Sequence, residues 1–356
     1  LPLLIEKYKT VTEVIIDVVD IDENSINTLK LLLKTLEIPK NITINFINSD
    51  FLLYNFENRY DIVVGNPPFK KITNEKVLLA SYKKGIFNTE TNNIFSFFIE
   101  KSLKLGNVVA LIIPKSLINS PEFNKTRELL ENLKVKKITD YGEKGFKGVK
   151  IETISFIAYT QKKSNNNVIE IESYITKEIS IKKQEYIFSK DFPYWLIYRN
   201  DLFDNISNKM KFNIFNAYRD RQITKKITKE EGNYRVLKSR NIASNKTIDI
   251  KDYDCYTDEI EALDVKKFIN NETAVLVPNL TYNPRACFLP KNTIVDGSVA
   301  ILTLRNGSRP VNEKDLEYFG TEEFSKFYSV ARNYGTRSLN IDNNSVFFFG
   351  LLKNIE

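Results

Sequence analysis

Asp61-Ile62-Val63-Val64-Gly65-Asn66-Pro67-Pro68-Phe69 joins a short apolar run to an Asn-Pro-Pro-aromatic tetrad. The run Ile62–Val64 reads as the end of a buried strand, stopped where Gly65 and two prolines forbid further ladder pairing. The stiff loop beyond holds one amide and one ring at the carboxyl end of that strand, where open α/β sheets place their ligands. A proline-capped turn is the plain alternative; the combination of strand, Asn, two prolines and an aromatic ring points instead to a site.

Working outward, the neighbouring elements alternate. Leu3–Lys9 reads as the last turns of a helix, Val14–Ile21 as a strand closed by Asp20-Ile21-Asp22-Glu23, and Ser25–Leu36 as an amphipathic helix. Ile42–Ile47 is a second strand, followed by Ser49-Asp50-Phe51. After the tetrad come a helix over Asn92–Leu105 and a strand over Asn107–Ile113 that ends at Pro114-Lys115-Ser116. A helix over Glu122–Leu133 and strands over Lys136–Tyr141 and Ile151–Thr160 complete the series. This is the pattern of a doubly wound, mainly parallel α/β sheet. The alternation breaks at Lys162-Lys163-Ser164-Asn165-Asn166-Asn167, expected to open a connecting segment over 162–195. From 196 to 356 short strands, turns and aromatics predict a second, mixed α+β domain.

The chain has 356 residues, 42% of them hydrophobic, enough for two domains with their own cores. It holds no histidine and two isolated cysteines, Cys255 and Cys287, which excludes Cys/His zinc sites, a histidine base and a Ser-His-Asp triad; no metal site is expected. No run approaches the roughly 20 apolar residues of a membrane span, and a reducing, cytoplasmic setting is expected. Net charge is +7, with −2 in residues 1–100 and +9 in the rest. That asymmetry suggests a polyanionic partner for the later half, although the general richness in lysine contributes to it.

Three features fall at successive strand ends. Asp20 is placed to accept hydrogen bonds from ribose hydroxyls, with Ile21 beside it to pack on an adenine face. Asp50 could accept from an exocyclic amine, with Phe51 covering the ring edge. Taken singly, each Asp is an ordinary cap or turn residue; their spacing ahead of Asn66–Phe69 sets them apart.

Val19-Asp20-Ile21-Asp22, Asn48-Ser49-Asp50-Phe51 and Val64–Phe69 resemble the successive motifs of S-adenosylmethionine-dependent adenine-N6 DNA methyltransferases. The helix and strand that follow match the family's next elements, and the basic region comes last, as in the gamma class, whose target recognition domain is C-terminal. The resemblance implies a Rossmann-like methyltransferase sheet over 1–161, S-adenosylmethionine at Asp20, Ile21, Asp50 and Phe51, and duplex DNA as substrate. It also implies action as a monomer on DNA and a cognate restriction endonuclease as partner. Asn66 and the Pro67 carbonyl would accept the two hydrogens of adenine N6, Pro68 would stiffen the loop, and Phe69 would stack on the flipped-out base. Methyl transfer would be direct displacement, without a covalent enzyme intermediate. Gly142-Glu-Lys-Gly-Phe-Lys-Gly148 stands where the family places a second aromatic contact to the base, which makes Phe146 the candidate; the same spacing suits a plain surface loop.

The family's first motif is a glycine-bearing turn ahead of the first helix, and no G-x-G occurs in this chain. With Leu1 at the start and Met210 as the only methionine, an N-terminally shortened form is expected, or a missing wall supplied by another chain. Weak cofactor binding by the chain alone would follow.

Residues 211–240 carry nine Lys/Arg against three Asp/Glu. Arg219, Arg221, Gln222, Lys238 and Arg240 from this stretch, with Arg285 and Arg337 from later turns, are candidate DNA contacts, since Arg and Gln read base edges and Lys meets phosphate. Protein-glutamine or RNA-base N-methylation, which also uses an Asn-Pro-Pro-aromatic loop, remains open at this point. So does a DNA-specificity module without activity of its own.

Overall fold

A computed structural model describes residues 1–146, 148, 150–163, 165–280, 282–336 and 340–353. The chain divides into two compact units, Leu1–Leu111 and Ile112–Glu356.

The first unit begins with α1 (Pro2–Tyr8), which has proline in its first turn, where the missing N–H costs nothing. It is followed by β1 (Val14–Asp20), α2 (Glu23–Leu33) and β2 (Ile42–Asn48). Asp22 caps α2, its carboxylate accepting from the Asn24 and Ser25 amides. The Ser25 hydroxyl, then the Asn24 amide, holds the Asp22 carboxyl below the ordinary range. β1 and β2 are parallel and in register from Val14 against Ile42 to Asp20 against Asn48. Ile5, Leu33 and Ile42 form the small core beneath them. β3 (Tyr60–Gly65) runs parallel to β4 (Gly106–Pro114), Ile62 opposite Val108 and Gly65 opposite Leu111. Between them lie α3 (Lys76–Lys83) and α4 (Ile94–Leu105), the latter with Phe95, Phe97 and Ile99 buried.

Here one expectation fails. Ile62 and Val64 are 43% and 52% exposed, so β3 is not a buried strand. The reason is topological: β3 ends the strand order of its sheet, and β1 and β2 form a separate two-stranded sheet. A strand laddered on one edge only cannot be covered as a central strand is. For the same reason Ile15 of β1 is largely exposed.

The second unit opens with the last residues of β4, a short turn at Pro121–Phe123 and α5 (Asn124–Glu131). The single helix expected over Glu122–Leu133 is thus preceded by a tighter turn begun by Pro121. β5 (Leu133–Gly142) pairs antiparallel with β6 (Thr153–Lys163) and parallel with β7 (Val168–Ser173), which in turn pairs antiparallel with β8 (Glu178–Lys183). The expected connecting segment therefore holds two strands that widen this sheet. Ile169 and Ile171 supply the buried face that lets β7 join it.

Beyond 200 the strands are short. Phe215–Arg219, Val299–Leu304, Val275–Pro278 and Cys287–Phe288 make a four-stranded sheet in that spatial order. Cys255–Thr257, Tyr234–Leu237 and Thr293–Val295 make a three-stranded one. Leu276, Val299 and Ile301 lie in the core that these sheets share. A second core is aromatic: the Phe203 and Phe327 rings stack at 4.8 Å, with Phe348 packed against both.

Candidate active site

The first unit brings the Asn66 loop to the ends of its strands through side chains that follow it. Asn66 is exposed, and its amide has no hydrogen-bond partner among the described residues; Pro67 is buried, Pro68 exposed and Phe69 half-buried. The loop is pinned immediately downstream, where the Ile94 amide donates to the Lys70 carbonyl (2.9 Å) and the Ile72 amide to the Asn92 carbonyl (3.0 Å). Those bonds tie residues 70–72 to the start of α4. From inside α4, the buried Glu100 carboxylate accepts the Phe87 and Asn88 amides at 2.7 and 2.9 Å, fixing the intervening loop. The loop is thus stiffened by two prolines and anchored through residues 70–72, with the Asn66 amide exposed.

The carboxylates sit as expected at the strand ends, and each has local work. Asp20 Oδ1 accepts the Asp22 amide (2.9 Å), while Asn48 Nδ2 donates to the Asp20 and Ile21 carbonyls (3.1 Å each), joining the ends of β1 and β2. Ile21 is 69% exposed, an apolar face open to a ring. Asp50 Oδ1 accepts the Leu52 amide (2.8 Å), and Oδ2 accepts the Tyr82 hydroxyl (2.5 Å). Tyr82 belongs to α3, so this bond links the end of β2 to the segment that follows Asn66. Burial first, then Asp50, pushes the Tyr82 phenol far above its ordinary value, so it remains a donor. Phe51 does not project freely: its ring stacks on Phe98 of α4 at 4.8 Å, with the Lys101 ammonium 5.5 Å from its centre. Lys101 also donates to the Leu52 and Tyr54 carbonyls (3.0 and 2.6 Å). Its pKa is lowered by burial, with the Asp50 charge opposing. Tyr82 and Lys101 escaped the sequence reading because their partners lie far along the chain; the helical spacing of aromatics in α4 was the available signal.

In the second unit Phe146 is half-buried in the loop between β5 and β6. Gly142 and Gly148 of that loop take left-handed backbone angles (φ 55° and 81°), and a Cβ at Gly145 would collide with Thr153, so these glycines answer to shape. Beneath the loop lies a charge cluster that the sequence reading did not name. Lys115, just past β4, is buried with its ammonium 2.6 Å from Asp140 and 3.7 Å from Glu152; it is a charge contact more than an aligned hydrogen bond. Asp140 also accepts the Tyr198 hydroxyl (2.7 Å), and Tyr198 meets Ser173 Oγ at 2.7 Å. Burial, and next the Asp140 charge, raises the Tyr198 phenol well beyond its ordinary range.

Of the candidate DNA contacts, Arg221 and Arg240 are exposed. Arg219 is half-buried and donates to Asn279 Oδ1 (3.3 Å), and Gln222 Oε1 accepts the Asp264 amide (2.8 Å). The Lys238 ammonium bonds the Tyr253 carbonyl and, with Arg240, lies over the Tyr253 ring, at 3.9 and 4.8 Å. Arg285 spends its guanidinium on the carbonyls of Ile242 (2.6 Å), Ser239 (2.9 Å) and Asn283 (3.1 Å), so in this structure it braces turns. Arg337 lies outside the described residues.

The first unit thus sets an Asn-Pro-Pro-Phe loop behind β3 in an alternating α/β order, the arrangement that the resemblance implies. Residues 6–146 match the family described as Eco57I restriction-modification methylase. Over 154 residues the chain is 28% identical to the type II methyltransferase M.BsuBI of Bacillus subtilis, a match covering 41% of this chain. The chain thus spans 30% of the length of that relative. Among solved structures, the type IIG restriction endonuclease BpuSI matches with a TM-score of 0.46 and 14% identity, over 94% of this chain and 52% of that one. The type IIL restriction-modification enzyme MmeI, solved in complex with DNA, matches with a TM-score of 0.49 and 12% identity, over 88% and 50%. No helix among the described residues is long and apolar enough to cross a membrane.

Proposed function

We propose that this chain forms part of an enzyme that methylates adenine N6 at a specific sequence in duplex DNA, as the gamma class does. One observation carries the reading: an exposed Asn66, without a hydrogen-bond partner among the described residues, on a proline-stiffened, anchored loop at the end of β3. Adenine N6 is a poor nucleophile because its lone pair is delocalised into the ring. Two fixed acceptors, the Asn66 side-chain oxygen and the Pro67 carbonyl, would hold its hydrogens so that the lone pair localises. Phe69 would stack on the extruded base, and Phe146 is the candidate for a further aromatic contact that the resemblance implies.

S-adenosylmethionine, when bound, supplies a methyl group made electrophilic by its sulfonium. The residues present fit the adenosine half of that molecule. Asp20 is exposed, Ile21 presents an open apolar face, and Asp50 stands beside the Phe51 ring. Asp20 would take the ribose hydroxyls and Ile21 the adenine face; Asp50, already oriented by Tyr82, would accept from the exocyclic amine. This chain offers no G-x-G turn for the methionine half.

The proposed division of labour places the methylase in residues 1–161, a connecting segment in 162–195 and target recognition in 196–356. Arg221 and Arg240, both exposed, lead the proposed DNA-facing set, with Arg219, Gln222, Lys238 and Arg337 behind them; Arg285, its guanidinium bonded to three backbone carbonyls, is left as a brace. Alanine at both Arg221 and Arg240 should lower the salt dependence of duplex binding, log Kd against log salt, by about 1 to 2. Fluorescence anisotropy between low and moderate salt reads this directly, and an unchanged slope would remove both residues from the DNA face.

Modification-sensitive sequencing of DNA from cells expressing the gene tests the function itself. N6-methyladenine confined to one sequence context is the expected result. Tritiated methyl transfer into protein or RNA but not DNA would replace the reading with one of the other Asn-Pro-Pro chemistries. DNA binding with no transfer at all would leave a specificity module. A restriction endonuclease as cognate partner and action as a monomer on DNA belong to the same proposal.

A further inference from the structure

The turn Asn333–Thr336 meets the loop that carries Phe146 in a way that neither the motif reading nor the charge pattern required. It is an unusual piece of backbone: Asn333 and Tyr334 are consecutive non-glycine residues with left-handed angles, φ 50° and 49°. Such residues are uncommon, and two together persist only where the surroundings over-determine them. Here they do. Asn333 is buried, with its Nδ2 donating to the Trp195 carbonyl (2.7 Å) and its Oδ1 accepting the Ile197 amide (2.9 Å). The turn is thereby bolted to residues 195–197, and Thr336 is delivered to a fixed position.

At that position each polar group of Thr336 reaches a different part of the second unit. Its amide donates to Glu152 Oε1 (3.0 Å), and its hydroxyl donates to Glu143 Oε1 (2.5 Å). Its carbonyl accepts the Tyr282 hydroxyl (3.3 Å). Glu143 and Glu152 are the two feet of the loop between β5 and β6, on either side of Phe146. Glu152 is held a second time, its carbonyl accepting the Lys115 amide (2.8 Å) beside the Lys115 ammonium. Tyr282 is 65% exposed, three residues ahead of Arg285.

We propose that Thr336 is a positioning residue that clamps both feet of the Phe146 loop and ties that loop to the exposed Tyr282 turn. The proposal rests on the methyltransferase reading for its consequence, target-base placement, but the clamp itself does not. Removing the hydroxyl takes away its bond to Glu143, while the Glu152 bond, made by backbone, survives. The loop then loses one of the two ties that Thr336 gives it, and the segment that carries Phe146 is held less firmly.

The test uses the whole protein with Thr336→Val, which keeps shape and removes the hydroxyl, and Thr336→Ser, which restores it. Hydrogen–deuterium exchange should be faster over 143–152 in the valine variant and unchanged in the serine variant. Losing one hydrogen bond to a charged acceptor should lower the turnover rate on duplex DNA about tenfold, with duplex Kd within about twofold of wild type. 2-Aminopurine at the target position should report altered base stacking in the valine variant alone. Wild-type exchange over 143–152 in Thr336→Val, or a serine variant as impaired as the valine one, overturns the proposal. If wild type transfers no methyl group to DNA, the functional reading fails instead, and the exchange measurement decides the clamp by itself.

Discussion

Replacing Asn66 with alanine is expected to lower methyl transfer to duplex DNA by at least about 100-fold, the usual cost of deleting one preorganised charge-stabilising group in an active site. The size follows from what the residue does not do. Asn66 is exposed and unpartnered among the described residues, so truncation breaks no bond that the fold uses. Stability should therefore stay within about 0.5 kcal/mol of wild type, as for surface substitutions generally. Duplex binding should also be retained, since the proposed contacts lie on Arg221 and Arg240. The loop survives because its shape comes from Pro67, Pro68 and the bonds between 70–72 and 92–94, none of which involve the amide. Steady-state transfer with parallel binding curves separates the cases. Transfer within threefold of wild type would remove Asn66 from the chemistry, and a matching loss of binding would make it a recognition residue.

The second large effect concerns Lys115. Lys115→Met should destabilise the second unit by about 3–5 kcal/mol, because it leaves buried carboxylates without their counter-charge. The Lys115 side chain is 3% exposed, that of Asp140 0% and that of Glu152 4%, so water cannot take the place of the ammonium. Denaturant titration should show a lower midpoint with the slope unchanged. Lys137→Met is the internal comparison: its ammonium also meets two carboxylates, Glu170 at 2.9 Å and Glu172 at 2.7 Å, but its side chain is 30% exposed. Solvent screens that triad, and its loss should cost at most about 1 kcal/mol. Equal effects at the two lysines would mean that burial is not what gives the Lys115 cluster its weight.

The contrast between these lysines shows what the sequence could carry. Both follow or sit in β-strands, and nothing local distinguishes them. The strand-end position of Lys115 after Pro114 was legible, but its partners arrive from β5 and from the start of β6, where only the tertiary fold brings them. The Asn66 loop was legible because every residue that makes it is contiguous. The carboxylates Asp20 and Asp50 were legible in place but not in partnership, since Tyr82 reaches Asp50 from a helix that hydrophobic spacing alone does not assign to it. Arg285 illustrates the opposite difficulty. Its turn looked like a reading tip, and burial among the carbonyls of Ser239, Ile242 and Asn283 turned the guanidinium inward. The β7–β8 pair was missed because a polar run ahead of it, Lys162–Asn167, resembled the start of a linker. Val168–Ser173 alternates cleanly, and that alternation was the signal.

The exposed flank of β3 has a practical consequence. An edge strand displays a row of backbone donors and acceptors, and here Ile62 and Val64 add bare hydrocarbon beside them, with Ile15 doing the same on β1. Surfaces of that kind adhere to copies of themselves. Association of these 356 residues through that edge is the expected outcome, seen as scattering that rises with concentration. Light scattering across a dilution series therefore belongs beside every rate or binding curve, so that a fall in activity on concentration is not mistaken for chemistry.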